Sequence, residues 1–256
     1  MNIFQRLKER IIEHSKNHGF TCDSCGREVF DYPIHRLCEK CENELTHNVE
    51  RICDKCGRKT VAEGICLNCK RSLPKFTKGF SPFVYRGKSA ALVNRMKNGN
   101  PTLTYFLAEE MADYFLSRYE RSAEFSVSEE TAFLILPVPM TEGRLRERGY
   151  NQAEELAKGI LARLREKGYF AELSCEVLQK RKDTAQQKQM GYLERMENVS
   201  GAYHVHLRKA CRERTVILVD DIMTTGATGS ECAERLLHAE AKEVNFLVAA
   251  SLPEMK

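Results

Sequence analysis

The stretch VILVDDIMTTGATGS, residues 216–230, decides the fold of this 256-residue chain. Four apolar β-forming residues run into the adjacent acids Asp220 and Asp221, and a run of Thr, Gly and Ala follows. A continuous apolar run of this length is typical of a strand buried on both faces. The sequence therefore predicts a strand over 216–219, with two carboxylates at its end and a small-residue loop behind them.

The loop behind the acids is suited to hold an anion. It leads into a helix predicted to start near Thr228, where unpaired backbone N–H groups and the positive end of the helix dipole favour a phosphate. Small residues let the anion approach, and threonine hydroxyls add donors. The predicted phosphate-binding residues are Thr224, Thr225, Gly226, Ala227 and Thr228.

The acid pair requires a different ligand group. Asp220 and Asp221 cannot bind a phosphate, but they suit sugar hydroxyls, which donate hydrogen bonds, and Mg²⁺. A sugar phosphate satisfies both the acids and the loop. The alternative, an ordinary strand followed by a helix cap, explains Thr228 but not the adjacent acids.

The rest of the C-terminal part alternates strand-like and helix-like runs. Apolar strands separated by helices of this length predict an α/β fold with a parallel sheet covered on both sides, in which ligands bind beyond the carboxyl ends of the strands. The predicted strands are 80–85, 133–139, 216–219 and 244–249, and the predicted helices are 89–97, 102–119, 151–166 and one from 228.

Cysteines dominate the N-terminal part. Eight of the 11 cysteines form four Cys-x-x-Cys pairs, a spacing that lets two thiolates reach one tetrahedral ion. Four pairs predict two structural Zn²⁺ ions in closed shells that leave no position for a reacting water. The predicted ligands are Cys22, Cys25, Cys38, Cys41, Cys53, Cys56, Cys66 and Cys69.

An internal repeat favours one grouping of these pairs. CDSCGR at 22–27 recurs as CDKCGR at 53–58, and each copy is followed by one further pair. The glycine stands where the chain turns back at the metal, a position that favours positive φ. Sequential sharing, with the first two pairs on one ion and the last two on the other, is therefore favoured over an interleaved arrangement.

Composition and charge limit the function classes. No apolar run is long enough to span a membrane, residues 1–18 lack the apolar block of a secretory signal, and clustered cysteines suit a reducing compartment, so we expect a cytoplasmic protein. The formal charge is +4. Two four-thiolate zinc sites of about −2 each cancel it, so bulk charge gives no argument for nucleic-acid binding.

Three units are expected along the chain. Residues 1–20 are predicted to contain an amphipathic helix, because apolar residues recur at helical spacing over 2–18. Residues 21–75 contain the cysteine pairs, and residues 76–256 form the α/β domain.

The stretch that ends at Thr228 resembles the 5-phosphoribosyl-1-pyrophosphate (PRPP) motif of type I phosphoribosyltransferases. Two further stretches, PVPMTEGRLRERGYNQAEELA at 137–157 and KRKDTAQQKQMGYLERMENVSGAY at 180–203, occur with it in the order found in the ComF family of competence-associated proteins. The cysteine-rich segment is similar to the double zinc ribbon of that family. The resemblance implies a type I phosphoribosyltransferase fold preceded by a small double zinc-ribbon domain.

The resemblance also implies roles for individual residues. Asp220 and Asp221 would hold the ribose hydroxyls, the loop 224–228 would hold the 5-phosphate, and Val138 would lie in the pyrophosphate loop. The candidate catalytic residues are the two aspartates together with Arg144, Arg148 and Lys97. Mg²⁺ and these cations would stabilise the departing pyrophosphate. For each cation a solvated surface position is the alternative.

The polar stretch 180–203 is a candidate flap over bound PRPP, because it has little apolar content of its own. An ordinary surface loop is the alternative. The candidate flap residues are Arg181, Thr184, Gln187 and Arg195. Asn151 is expected to cap the helix that follows it.

Three functions are consistent with the sequence. The first, implied by the resemblance, is a PRPP-binding phosphoribosyltransferase-fold protein that handles incoming single-stranded DNA during natural transformation. The second is an adaptor without transfer chemistry, which binds single-stranded DNA or competence or replication-restart proteins. The third is a nucleobase salvage enzyme, which leaves the zinc ribbons unexplained.

Overall fold

The acid-pair stretch forms the centre of a parallel sheet in the computed structural model, which describes residues 20–29, 37–97, 101–119, 132–181 and 201–254. The strands are β1 (Phe20–Thr21), β2 (Glu28–Val29), β3 (Lys78–Phe80), β4 (Phe83–Val84), β5 (Phe133–Pro137), β6 (Ala171–Leu173), β7 (Leu178–Lys180), β8 (Tyr203–Val205), β9 (Thr215–Met223) and β10 (Glu243–Ser251). The helices are α1 (Glu39–Asn43), α2 (Leu67–Arg71), α3 (Gly87–Met96), α4 (Pro101–Tyr119), α5 (Glu142–Arg148), α6 (Gln152–Glu166) and α7 (Ala227–His238).

The main sheet has the order β3-β10-β9-β5-β6, and β4 also pairs with β10. Every pairing in it is parallel. The carboxyl ends of β5 and β9 therefore lie at the same edge, where Pro137 pairs with Val219. The predicted α/β fold with a parallel sheet is confirmed.

The apolar run of β9 is buried because both faces of the sheet are covered. Ile217 and Val219 pack into a core with side chains of α3, α4 and α6. Val216 and Leu218 point the other way, into a core with α7 and the hairpin β7–β8. Successive side chains of a strand alternate between faces, so only an unbroken apolar run fills both cores.

Two strand predictions need correction. The strand predicted over 216–219 continues through the acid pair to Met223, because β10 pairs with it as far as Ser251↔Met223. The single strand predicted over 80–85 is two short strands, β3 and β4, on either side of Pro82, which has no N–H to donate to the ladder. The four helices predicted in the C-terminal part are present, with ends shifted by up to two residues.

Both halves of the cysteine-rich segment pack against the sheet domain. Cys22, Cys38 and Cys41 join the core that contains α3 and α4, whereas the last four cysteines join the core on the opposite face. The proposed domain limits of 21–75 and 76–256 remain a prediction. The helix predicted near the N-terminus lies outside the described residues, and none of the described helices is long and apolar enough to cross a bilayer.

Candidate functional site

A cavity of about 500 Å³ opens at the carboxyl edge of the sheet. The ends of β5 and β9 form its floor, and the N-terminal ends of α6 and α7 form its sides. It brings together, from four separate segments, the predicted residues Lys97, Val138, Arg144, Arg148, Asp220, Asp221, Thr224, Thr225, Gly226, Ala227 and Thr228. Apart from the flap residues, every residue predicted for the PRPP site lines this cavity.

The loop 224–228 has the shape that an anion cradle requires. Gly226 adopts φ +88 and directly precedes the first turn of α7, a left-handed conformation that side chains with a Cβ avoid. The backbone N–H of Ala227 donates to Thr225 Oγ1 at 3.2 Å. At the third residue of the helix, a Cβ added to Gly229 would lie 2.5 Å from the ring of Phe246, so only glycine lets α7 approach β10 this closely.

Asp220 lies at the base of the cavity with an unusual proton affinity. Burial, followed by the nearby charge of Asp221, raises the pKa of Asp220 to about 7. Its Oδ1 accepts a hydrogen bond from the backbone N–H of Asp221 at 2.9 Å. The carboxyl is therefore poised to ionise when a cation or a hydrogen-bond donor enters the cavity.

Asp221 already has a cationic partner. Lys97 Nζ lies 2.9 Å from Asp221 Oδ2, and both side chains are about four-fifths buried. The sequence predicts Lys97 on the pyrophosphate, whereas here its charge is held on the acid pair. A ligand that brings its own cation to Asp221 would release Lys97 toward the cavity.

The segment after β5 is held against the acid-pair strand. Val138 donates its backbone N–H to the carbonyl of Val219 at 2.8 Å. Asn151 caps α6 as predicted, by accepting from the N–H of Ala153 at 3.1 Å, and its Nδ2 also donates to the carbonyl of Val138 at 3.2 Å. Asn151 thus fixes the loop as well as the helix.

The two predicted arginines lie on or at the end of α5. Both line the cavity, and Arg148 Nη1 donates to Gln152 Oε1 at 3.3 Å. Gln152 is 3% exposed and its Nε2 has no hydrogen-bond partner in the described part of the chain. No pattern in the sequence singles out Gln152, although it is adjacent to the predicted cap Asn151.

The two end residues of the candidate flap line the site, although no pattern in the sequence singles them out. Lys180 and Tyr203 are paired across the antiparallel hairpin β7–β8, both line the cavity, and Lys180 Nζ lies 5.3 Å from the centre of the Tyr203 ring. Arg181 is exposed and does not line the cavity. Thr184, Gln187 and Arg195 lie outside the described residues.

The sulfur atoms of the cysteine pairs form two sets of four. The four sulfur atoms of each set lie within 4.8 Å of one another. The grouping is the sequential one: Cys22, Cys25, Cys38 and Cys41, then Cys53, Cys56, Cys66 and Cys69. The Cys25–Cys38, Cys53–Cys69 and Cys56–Cys66 sulfur separations are 3.8, 3.9 and 3.7 Å. A tetrahedral zinc with bonds of about 2.3 Å holds its sulfurs about 3.8 Å apart, so both sets fit the ion.

The parallel sheet, the acid pair with its small-residue loop and the two four-cysteine sets are the features expected of a type I phosphoribosyltransferase fold with an N-terminal double cysteine cluster. Within that class, the resemblance to the ComF family is confirmed by curated homologues. The chain is 25% identical over 232 residues to "Competence protein F" of Haemophilus influenzae, covering 90% of each protein. It is 26% identical over 221 residues to "Competence protein ComFC" of Bacillus subtilis, covering 85% of each.

A third relative, "DNA utilization protein YhgH" of Escherichia coli O157:H7, is 29% identical over 110 residues, which cover 43% of this chain and 45% of that protein. No family model matches the chain.

Similar solved structures include two hypoxanthine-guanine phosphoribosyltransferases. That of Schistosoma mansoni, in complex with IMP, is 14% identical with a TM-score of 0.31, covering 59% of this chain and 64% of that one. That of L. donovani is 11% identical with a TM-score of 0.34, covering 60% of this chain and 81% of that one.

Proposed function

We propose that this protein binds PRPP together with Mg²⁺ in the cavity at the carboxyl edge of the sheet. The observation that carries the proposal is the union, in one cavity, of an acid pair, a small-residue cradle at a helix N-terminus and two arginines. Each group suits a different part of PRPP. A phosphate at the cradle places the sugar beside the acids, which precede the cradle by only two intervening residues in the chain.

The proposed orientation follows from charge. The 5-phosphate binds the backbone N–H groups of 224–228, where the dipole of α7 favours an anion. Asp220 and Asp221 accept hydrogen bonds from the ribose hydroxyls. The pyrophosphate lies toward Val138, Arg144 and Arg148, the positively charged side of the cavity.

Substitution at the ribose C1 breaks the bond to pyrophosphate, so positive charge grows on the sugar while negative charge grows on the leaving group. Arg144 and Arg148, with Lys97 once it leaves Asp221, would stabilise the leaving group. Mg²⁺ supplies further neutralisation of the pyrophosphate when it is bound. The ionised acids would stabilise the developing charge on the sugar.

Calorimetric titration with PRPP tests the assignment. We expect saturable binding that requires Mg²⁺ and that is lost in Asp220→Asn with Asp221→Asn, while Asp54→Asn, at an exposed acid of the cysteine-rich segment, leaves it unchanged. Unaltered affinity in the double variant would refute the site. Release of pyrophosphate in the presence of nucleobases, nucleotides or DNA then tests transfer, and turnover with free bases alone would favour a salvage enzyme.

A role in handling DNA is the second part of the proposal. The names of three relatives, two competence proteins and a DNA utilization protein, favour it. Direct contact with single-stranded DNA predicts an affinity that falls steeply with salt, because each neutralised phosphate releases counterions. Binding that is absent or independent of salt would leave only the adaptor role toward other proteins.

We further propose Zn²⁺ as the metal of both four-cysteine sets, since closed four-sulfur shells suit a structural zinc. Metal analysis of the purified protein should give two zinc ions per chain. A single zinc, or iron in its place, would contradict this part.

A further inference from the structure

Arg58 connects the second cysteine set to the cradle. Its side chain is buried, with 2% of the residue exposed. Its Nε donates to Cys56 Sγ at 3.3 Å, and its Nη2 donates to the backbone carbonyl of Thr224 at 2.9 Å. One guanidinium therefore bonds a proposed zinc ligand on one side and the first residue of the cradle on the other.

A buried guanidinium requires nearby negative charge. When the second set holds a zinc ion, its four thiolates carry a net charge of about −2. The bond from Arg58 to Cys56 is then charge-assisted and stronger than a neutral one. The metal site thus supplies the charge that keeps the guanidinium in place beneath the cradle.

The second bond of Arg58 sets the orientation of a peptide plane. In a trans peptide, the carbonyl of Thr224 and the N–H of Thr225 point in opposite directions. Holding the carbonyl toward Arg58 therefore holds the N–H away from it. A reversed peptide would exchange these directions and could present a carbonyl oxygen, which repels a phosphate.

We propose that Arg58 is a positioning residue through which the metal-loaded second cysteine set fixes the conformation of the loop 224–228. The consequence for PRPP rests on the proposed function, whereas the effect on the loop does not. On this basis the second cysteine set is part of the ligand site, and the first set is not.

The internal repeat supplies a matched control. Arg27 stands in the first copy where Arg58 stands in the second, but Arg27 is exposed. Arg27→Gln and Arg58→Gln remove the same charge from the same position of the repeat. Only Arg58→Gln removes the bond to Thr224.

Hydrogen exchange without PRPP tests the effect on the loop. In the zinc-loaded protein we expect the amides of 224–228 to exchange about tenfold faster in Arg58→Gln than in Arg27→Gln, as the loss of one hydrogen bond from a charged group allows. Amides of the strand residues 216–219 serve as the internal reference for global unfolding. Equal loop exchange in the two variants overturns the proposal.

If Arg58→Gln also loses the zinc ion of the second set, the proposal still predicts that amides of the loop 224–228 exchange faster relative to those of 216–219. Loop exchange at the wild-type rate despite the lost metal would overturn the proposal. Arg58→Lys, which keeps the charge but not the planar fork of donors, is expected to show intermediate exchange and full zinc content. Exchange in the loop that rises only together with 216–219 would show general destabilisation and also overturn the proposal.

PRPP titration separates this proposal from the preceding one. If wild type binds PRPP, Arg58→Gln should bind about tenfold more weakly and Arg27→Gln equally well. If wild type does not bind PRPP, the proposed function fails, while faster loop exchange in Arg58→Gln would still support the positioning role.

Discussion

Gly57 and Gly79 face each other in direct backbone contact. A Cβ added to Gly57 would lie 2.2 Å from the carbonyl oxygen of Gly79. A Cβ added to Gly79 would lie 2.3 Å from the carbonyl oxygen of Cys56. The N–H of Gly79 also donates to the carbonyl of Lys55 at 2.8 Å. This contact holds the second cysteine set against β3, and it keeps Arg58 within reach of the cradle.

The contact predicts different effects of one substitution in the two repeats. Gly26 and Gly57 both have positive φ, but a Cβ at Gly26 meets nothing within 4 Å. We expect Gly26→Ala to lower the free energy of unfolding by about 1 kcal/mol through backbone strain. Gly57→Ala should lower it by roughly 2 to 4 kcal/mol, because overpacking adds to the strain. Chemical denaturation of both variants measures the difference.

Equal losses of stability in Gly26→Ala and Gly57→Ala would contradict the packing of the second set on β3. Zinc content serves as the control here, since a variant that loses metal would lose stability for a different reason.

Asp220 should reduce the stability of the ligand-free protein at neutral and alkaline pH. Its pKa in the fold, about 7, lies above its ordinary value near 4, so the fold favours the protonated form. The contribution of this group to stability is therefore fully present below pH 4 and is lost as the pH rises through 7. We expect Asp220→Asn to raise the free energy of unfolding by about 2 kcal/mol at pH 8. At pH 4 the same substitution should change the free energy of unfolding little.

Thermal melts of wild type and Asp220→Asn at both pH values measure this effect. A variant that is destabilised at pH 8 would show that the ionised carboxylate is stabilised in the fold, contrary to its burial beside Asp221.

Lys97 should compete with divalent cations for Asp221. Because Lys97→Met removes the charge 2.9 Å from that carboxylate, we expect Mn²⁺ in the absence of PRPP to bind about tenfold more tightly. PRPP should bind more weakly, since the cation is lost from the cavity. Lys88→Met is the matched control, because Lys88 lies in α3, the helix that Lys97 directly follows, but pairs with Glu44 at 3.3 Å.

Paramagnetic resonance of Mn²⁺ gives the affinities. Unchanged Mn²⁺ binding in Lys97→Met would show that the ion pair does not restrict the acid pair.

The two cysteine sets should lose metal at different rates. Cys25 of the first set is exposed, whereas all four cysteines of the second set are buried. Because a chelator reaches an exposed ligand first, zinc release should be biphasic, and the fast phase should be absent from a variant with Cys25→Ala and Cys38→Ala. A single phase, or a fast phase that survives in this variant, would contradict the assignment.

Much of the candidate site could be predicted because its chemistry is local in the chain. The acid pair and the cradle are adjacent in the sequence, and an apolar strand with a helix behind it leaves little choice about where that loop lies. Arg144 and Arg148 could be added because they follow a second strand of the same parallel sheet. The end of β9 was less predictable from sequence. Its pairing with β10, and not its own composition, extends the strand through Asp220 and Asp221.

Other site residues carry no local signal. Lys180 and Tyr203 reach the cavity because the hairpin β7–β8 pairs them, although the stretch between them is polar and has no strand pattern. Lys97 was predicted to lie on a ligand, but its pairing with Asp221 depends on how α3 ends relative to β9.

The sequence by itself determined two four-cysteine sets and a small-residue loop behind an acid pair, because thiolate spacing and backbone direction act over a few residues. It did not distinguish Arg27 from Arg58, which end two copies of one hexapeptide pattern. Only the tertiary structure decided that the first is exposed while the second bonds Thr224, a residue 166 positions away. The physical reason is that a buried guanidinium is specified by what packs around it, and those partners come from distant parts of the chain.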